Sequence, residues 1–519
     1  MSATTTPQRE VFVSRSAFIF AAIGSAVGLG NIWRFPYVTY ENGGGAFIIP
    51  YLVALLTAGI PLLFFYYAMG HRSRGSAPLA YRMAHKSAEP IGWFSTGVAV
   101  VIGIYYAAII GWAGSYMFFS LGDSWGDDAE SFFFTDYLKM GDPGISFEFV
   151  PSVLIPMIII WVIILGILLM GVQKGIARFS KVFIPLLIVL FLALVIRALF
   201  LPGAIDGLNA LFTPDFAALA DPKVWIAAYG QIFFSLSIAF GIMITYASYL
   251  KKKTNLTGAG LVVGFSNSAF EILAGIGIFA ALGFMASAQG VAVGDVATDG
   301  IGLAFVGFPT LISQMPGGPI FGFVFFACLV FAGLTSLISI VQVPIQALRE
   351  KFGLANTTST IVVGGGMAII SLLLMPTITG LYALDTLDAW SNNIGIVGSA
   401  VLAIVVVGWA ARKLPILSRH LNAVSSFKLG PIWMILISIT GVVLIYMLIT
   451  QIVKFLTEGY EDYPALITNT WGWGMIIVLA VASVILTFIK WPKKTLEDMN
   501  TAIADSVAEE NHSNKNKGA

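Results

Sequence analysis

Apolar residues fall into twelve long runs, near 17–40, 46–69, 92–120, 152–171, 179–201, 225–249, 257–288, 319–348, 360–376, 388–411, 432–456 and 470–490. A helix needs about 20 apolar residues to cross the hydrocarbon core of a bilayer, and most runs reach that length. The run at 360–376 is short and carries Gly364, Gly365 and Gly366. The polar gaps alternate in charge. Arg9 and Arg15; Arg72, Arg74, Arg82 and Lys86; Lys174, Arg178 and Lys181; Lys251, Lys252 and Lys253; Arg349 and Lys351; Arg412, Lys413, Arg419 and Lys428; and Lys490, Lys493, Lys494, Lys515 and Lys517 occupy one set of gaps. The gaps between them are acidic: Asp123 to Glu148, Asp206 to Asp221, Asp295 and Asp299, and Glu458 to Asp462. Basic loops stay on the cytoplasmic side, so this pattern predicts a multi-pass plasma (inner) membrane protein with an even number of spans and both termini cytoplasmic. The sequons at Asn255, Asn356 and Asn511 then fall inside and go unglycosylated.

Composition agrees. Hydrophobic residues make up 58% of the chain and charged residues 11%, against about 25% charged in soluble domains. The net charge of +1 gives no reason to expect a nucleic-acid partner. The lone Cys328 excludes a disulfide framework within the chain and a cysteine metal site. The first sixteen residues are polar and lead into no cleavage site, so no signal peptide is expected. His71, His85, His420 and His512 lie in inner loops or the tail on this reading, away from any intramembrane metal motif. The gap at 121–151 is long, and the gap at 289–318 is long and rich in Gly and Pro; the latter is expected to form an outer cap of short helices. The tail after Trp491 is polar, charged and expected to be disordered at its end.

Two runs are poorly made as helices. The first contains Gly24, Gly28 and Gly30, with Asn31 and Arg34 at membrane depth. Irregular backbone survives in a bilayer only where it is buried in protein or lines a cavity. The run therefore reads as a broken helix holding an ion and a small solute, or else as a glycine-faced packing helix. The sixth run carries Gly230, Ser235, Ser237 and Gly241 mid-span. The first and sixth runs open two successive sets of five that start from opposite sides of the membrane, and interruptions at matching places in inverted halves point to a transporter's central site. The expected fold is an all-α polytopic membrane protein of about 12 transmembrane helices, with a 5+5 inverted repeat and broken helices 1 and 6. Its parts are a cytoplasmic segment 1–16, a first repeat 17–201, a second repeat 202–411 with the cap near 289–318, spans 11 and 12 in 412–490, and the tail 491–519.

Several stretches, in this order, resemble the neurotransmitter:sodium symporter family, and its bacterial chloride-independent amino-acid transporters in particular. They are Ala26 to Pro36, Glu41 to Phe47, Ile104-Tyr105-Tyr106, Gly230 to Ser237 and Phe331 to Ser336. The resemblance runs from Arg9 to about Lys490 and implies two sodium sites. The first would use Ala26, Asn31, Ser235 and Asn267, completed by the substrate carboxylate. The second would use Gly24, Val27, Ala332, Thr335 and Ser336. The substrate carboxylate would meet Leu29 and Gly30 at a half-helix N-terminus, where the dipole favours an anion, together with the Tyr106 hydroxyl. The ammonium would meet carbonyls near Ala26, Phe234 and Ser235, and the Ser237 hydroxyl. Ile102, Tyr106, Phe234, Phe240, Ser336 and Ile340 would line an apolar pocket without charge, implying a neutral, small to medium apolar amino acid. Amine carriers of the family place Asp at the position of Gly28. Ala239 stands where leucine-type members carry Gly.

The resemblance also assigns Glu271, four residues after Asn267, as an acid in place of chloride, with Tyr51, Gln231 and Ser235 as neighbours, so no chloride requirement is expected. Arg34 and Asp388 would form the outer gate above Tyr106 and Phe240. Arg9 and Glu350 would form the inner gate near Tyr249 and Gln342, with Phe12 in place of an anchoring Trp. The expected activity is sodium-coupled import by alternating access, spans 1, 2, 6 and 7 rocking against 3, 4, 8 and 9. Alternatives are an amino-acid sensor that binds without net transport and a symporter of an amine or sulfonate. A channel and a membrane enzyme fit less well: the interrupted runs suit a carrier, no nucleophile–base pair falls within the spans, and no phosphate-binding G-x-x-x-x-G-K-[ST] sequence occurs. The oligomeric state is not readable from the sequence.

Overall fold

The computed structural model describes residues 10–297 and 300–515. Among these residues the chain is helical and has no strand, only isolated bridges at Gly44–Pro214 and Phe149–Thr377. Among the described residues ten helices are long and apolar enough to cross a membrane: Gly45–Ser73, Lys86–Gly122, Pro151–Leu169, Val172–Leu199, Leu256–Gln289, Gly318–Phe352, Asn356–Leu374, Gly380–Ala410, Pro431–Thr457 and Ala465–Phe488. Arg15–Ala26 and Leu29–Glu41 together make an eleventh span, bent by 54°. The sixth apolar run is two helices, Pro222–Ser235 and Ile242–Ser248, each too short to cross alone. Counting both interrupted runs as spans gives the twelve expected positions. The tenth starts earlier than its apolar run suggests, at Gly380, so that Asp388 lies two turns inside it.

Burial sorts the spans. The most apolar windows of the third, seventh and eighth are 78–83% buried, those of the eleventh and twelfth 28% and 17%. On the eleventh, Ile432, Ile435, Ile439, Val442, Tyr446, Ile449 and Val453 are all exposed. Their spacing of three and four residues puts them on one face. In water such a stripe would drive association; in lipid it is the ordinary outer surface.

The two breaks have local causes. In the first span Val27 is extended and ends the helix, and Gly28 caps the next one. The Asn31 side-chain oxygen accepts the Gly28 N–H at 2.9 Å, satisfying a donor that the break releases. In the sixth span Ser237, Ala239 and Gly241 all take positive φ, of 51°, 75° and 89°. A residue with a Cβ pays about 1–2 kcal/mol there, and Gly in its place gives back about 0.5–1 kcal/mol through the entropy of the unfolded chain. Ala239→Gly is accordingly expected to stabilise the protein by up to about 1 kcal/mol. The check is the thermal unfolding midpoint in detergent; a lower midpoint for the variant would show that the Ala239 methyl packs better than its backbone is strained.

Other connections are more ordered than their composition suggests. The gap after the third span contains a short helical piece, Ala129–Tyr137. The Gly- and Pro-rich segment holds Val293–Val296, Gly300–Gly302, Leu303–Gly307 and Phe308–Gln314. The polar tail is helical over Lys493–Lys515, and its end at 516–519, expected to be disordered, lies outside the described residues. Its Leu496, Met499 and Ile503 lie on one face and pack, with Trp491, against Leu79, Trp93 and Ala347, so burying that stripe offsets the cost of ordering the chain. His71 and His420 are not loop residues: they lie in the helices Ile60–Ser73 and Leu414–Val424, and both are buried. Arg9, Asp299, Lys517 and the first residues of the chain fall outside the described residues.

Candidate substrate and sodium site

The two breaks face each other. Ser25, the last residue but one before the first break, offers its carbonyl to the Ser237 hydroxyl at 2.8 Å and the Ser336 hydroxyl at 3.2 Å. These bonds tie the first, sixth and eighth spans together at the two breaks and satisfy an acceptor that the helix has lost. Beside them, the Asn31 amide donates to Asn267 Oδ1 at 2.9 Å and the Asn267 amide donates to Ser235 Oγ at 3.0 Å. Asn31, Asn267 and Ser235 are all buried.

A cavity of about 1040 Å³ opens at this junction. Ala26, Gly28, Leu29, Gly30 and Asn31 line it from the first span, with Phe234, Ser235, Ser237 and Phe240 opposite. Ile102 and Tyr106 enter from the third span, Ser336 and Ile340 from the eighth. Every residue to which the sequence assigns substrate contact is on this wall. The N-terminus of Leu29–Glu41 points into it, and the Leu29 N–H donates to the Tyr106 hydroxyl at 3.3 Å. A Cβ at Gly28 would lie 3.1 Å from that hydroxyl and 3.5 Å from Ser336 Oγ, so position 28 controls what reaches the helix end. A Cβ at Gly30 would run into the Phe234 ring.

The cavity continues past Arg34 and Asp388 to the acidic loop at Glu458–Tyr463. The Arg34 guanidinium sits 4.7 Å from the centre of the Phe234 ring. Asp388 accepts hydrogen bonds from the Tyr105 hydroxyl at 2.7 Å and the Asn392 amide at 2.9 Å. The opposite end is plugged: Phe12 is buried edge-on against Phe18, Tyr246 and Tyr249, and its N–H bonds the Tyr249 carbonyl at 2.9 Å.

Sequence comparison then decides the family. The sodium:neurotransmitter symporter family matches residues 9–127 and 124–494 of this chain. The chain belongs to that family. An uncharacterised sodium-dependent transporter of Methanocaldococcus jannaschii is 40% identical over 493 residues, covering 93% of this chain and 98% of the relative. The human sodium- and chloride-dependent GABA transporter 2 is 30% identical over 448 residues, covering 78% and 73%. The crystal structure of MhsT in complex with L-phenylalanine matches with a TM-score of 0.72 at 32% identity, over 85% of this chain and all of that one.

Within this symporter-family chain, the second group of expected sodium ligands is also close together. A Cβ at Gly24 would approach Thr335 Cβ to 3.2 Å. The Thr335 hydroxyl lies 3.0 Å from each of the Phe331 and Ala332 carbonyls of its own helix. Glu271 is fully buried beneath the first group. The Gln231 amide donates to it at 2.6 Å, and the Tyr51 hydroxyl bonds both its carboxylate and, at 2.8 Å, Ser268 Oγ. On the plugged side, Glu350 accepts from the Ser76 N–H and hydroxyl at 2.8 and 2.6 Å and from the Gln346 amide at 2.5 Å. Tyr249 bridges Gln342 and Gln346 at 2.8 and 2.9 Å. Arg9, the expected partner of Glu350, lies outside the described residues.

The sequence reading missed part of this wall. Tyr105 carries no role in it, yet it holds Asp388. Asp385, three residues before Asp388, accepts from Tyr460 at 3.0 Å and Tyr463 at 2.9 Å and ties the acidic loop to the tenth span. The spacing of Asp385, Asp388 and Asn392, one polar face on an apolar helix, was the available signal.

Proposed function

We propose that this protein is a sodium-coupled symporter that imports a neutral, small to medium apolar α-amino acid by alternating access. The observation that carries the reading is the N-terminus of Leu29–Glu41 opening into a cavity beside Tyr106, with glycine at 28. A helix N-terminus holds a carboxylate through free N–H groups and dipole, and among the described residues no carboxylate is bonded to it. The carbonyls released by the sixth-span break suit the ammonium, and Ile102, Phe240 and Ile340 suit an apolar side chain. The relative crystallised with L-phenylalanine supports the substrate class.

Two sodium ions drive the cycle. Ala26, Asn31, Ser235 and Asn267 present oxygens to the first when the two amides turn, and the bound carboxylate adds one more. Gly24, Val27, Ala332, Thr335 and Ser336 hold the second. Because the substrate is a ligand of the first ion, each raises the affinity of the other equally. Glu271 supplies the negative charge, so transport needs no chloride. Arg34 and Asp388 close over Tyr106 and Phe240 from outside; Glu350, paired with Arg9, closes the cytoplasmic side. Residues 17–201 and 202–411 act as inverted halves in a plasma (inner) membrane with both termini inside. Relatives named for serotonin and taurine favour a second reading, an amine or sulfonate substrate in the same place.

Purified protein titrated with neutral amino acids, amines and taurine, in sodium and then in potassium, tests the proposal. At least one α-amino acid should bind in sodium about tenfold or more tightly than in potassium. Equal binding in both salts would remove the coupling; binding of taurine or an amine alone would select the second reading.

A further inference from the structure

The helix Lys493–Lys515 crosses the basic, cytoplasmic end of the bundle and is held at both ends. At its start Trp491 donates to Glu89 at 2.8 Å, and Lys351, itself 2.7 Å from Glu89, sits 4.4 Å from the centre of the Trp491 ring. Thr495 bonds the Glu350 carbonyl at 3.3 Å. This end is fixed to the third and eighth spans. The far end reaches the second span: Glu510 pairs with Arg72 at 3.2 Å, and Ser506 meets His420 Nδ1 at 2.8 Å. His420 Nε2 in turn lies 2.9 Å from His71 Nδ1, and His71 Nε2 lies 2.9 Å from the Lys251 carbonyl.

The protons in this chain are fixed by its last member. A carbonyl only accepts, so His71 Nε2 carries hydrogen and His71 Nδ1 is bare in the neutral ring. His420 Nε2 must then donate to it, which leaves His420 Nδ1 bare and accepting from Ser506. A proton added at His420 Nδ1 is the one addition the wiring tolerates, since His71 has no spare acceptor. It turns Nδ1 into a donor towards Ser506, frees the Ser506 hydroxyl to donate to Glu510 at 3.2 Å, and puts an imidazolium 3.7 Å from the Glu510 carboxylate. Burial raises the Glu510 carboxyl, but its bonds to His420 and Ser506 and the charge of Arg72 outweigh burial and hold it below the ordinary value, so it stays ionised. Among the described residues, Arg74 also acts on His71, and Arg419 on Arg72. Lys252 and Asp505, 2.5 Å apart, bind the same helix from outside.

We propose that Lys493–Lys515 is a proton-sensitive latch, strapping the second span to the third and eighth, whose grip tightens when His420 takes up a proton. The docked helix binds that proton better than the undocked one because only docking supplies Glu510, so acid favours docking and the gain is lost as pH rises through the value that His420 has in the docked state. Its grip stands independently of the transport reading. Its consequence, slower opening of the cytoplasmic side at acid internal pH, rests on that reading.

Hydrogen exchange on the full chain in nanodiscs tests the grip. After correction for intrinsic rates, amides of 500–510 should be roughly fivefold better protected at pH 5.5 than at pH 8. His420→Gln keeps a donor for His71 and an acceptor for Ser506 but takes no proton, and should be protected equally at both. If that variant undocks, Glu510→Gln, which leaves both histidines in place, decides: a flat profile supports the latch. A native profile without pH dependence, or one retained in Glu510→Gln, overturns it. Substrate counterflow in vesicles, a few-fold slower with acid inside for the native chain alone, reads the consequence. Absence of sodium-dependent uptake would discard the transport reading and leave the exchange result standing.

Discussion

Replacing Gly28 by Asp is expected to abolish binding of amino acids. The side chain would enter the cavity between the Tyr106 hydroxyl and Ser336 Oγ, where the helix end of Leu29–Glu41 waits for an anion. Its carboxylate would take the dipole, the Tyr106 hydroxyl and the sodium for itself. A substrate carboxylate would then have to sit beside a fixed like charge in a place with little water. Repulsion of this kind costs about 3 kcal/mol or more, so affinity should fall by roughly 150-fold. The same substitution should improve binding of the decarboxylated amine, which brings the cation without the anion. Sodium-dependent titration of both ligands to native and Gly28→Asp protein gives the answer. Undiminished affinity for the amino acid in the variant would mean that its carboxylate goes elsewhere, and the assignment of Leu29 and Gly30 would fall with it.

The second large effect concerns Glu271. Its carboxylate is buried, with Gln231, Tyr51 and Ser268 grouped around it, and the Asn31–Asn267–Ser235 chain lies close by. Donors such as the Gln231 amide and the Tyr51 hydroxyl are suited to any anion. Glu271→Ser removes the charge but leaves those donors, so the proposed sodium ions would lack a negative neighbour until an external anion arrives. Uptake by the variant should fall about tenfold or more when gluconate replaces chloride, while native uptake should be the same in both. If Glu271→Ser works equally fast in both buffers, the carboxylate does not stand in for chloride. If it works in neither, Glu271→Gln separates a lost charge from a collapsed shell, because Gln keeps the volume.

What the sequence made legible follows a rule of contrast. In an apolar run every glycine cluster and every amide stands out, because lipid tolerates neither without a reason. That is how the first break shows itself through Gly28 and Asn31. The second break, with weaker chemistry, becomes visible only from its position five spans later. The sixth span also shows what contrast cannot supply: its six-residue interruption contains Ser237 and Ala239 at positive φ, and nothing in either residue type announces that backbone. Partners far apart in the chain were equally hidden. Tyr105 and Asp388 are separated by 283 residues, His71 and His420 by 349. The C-terminal helix escaped for the opposite reason. Leu496, Met499 and Ile503 are three apolar residues in a charged stretch, too sparse to suggest a helix until the floor made by Leu79, Trp93 and Ala347 is known.

That docked helix also decides how the protein can be shortened. Cutting after Trp491 would bare an apolar floor in water and leave Arg72 without the carboxylate of Glu510. Apolar surface returned to water costs about 25 cal/mol for each Å², set against the small margin by which most proteins stay folded. A trimmed chain that yields poorly or turns over slowly would therefore report damage to its foundation. The natural place for a fusion or a cleavage site is beyond the helix, where neither the floor nor the charge pair is disturbed.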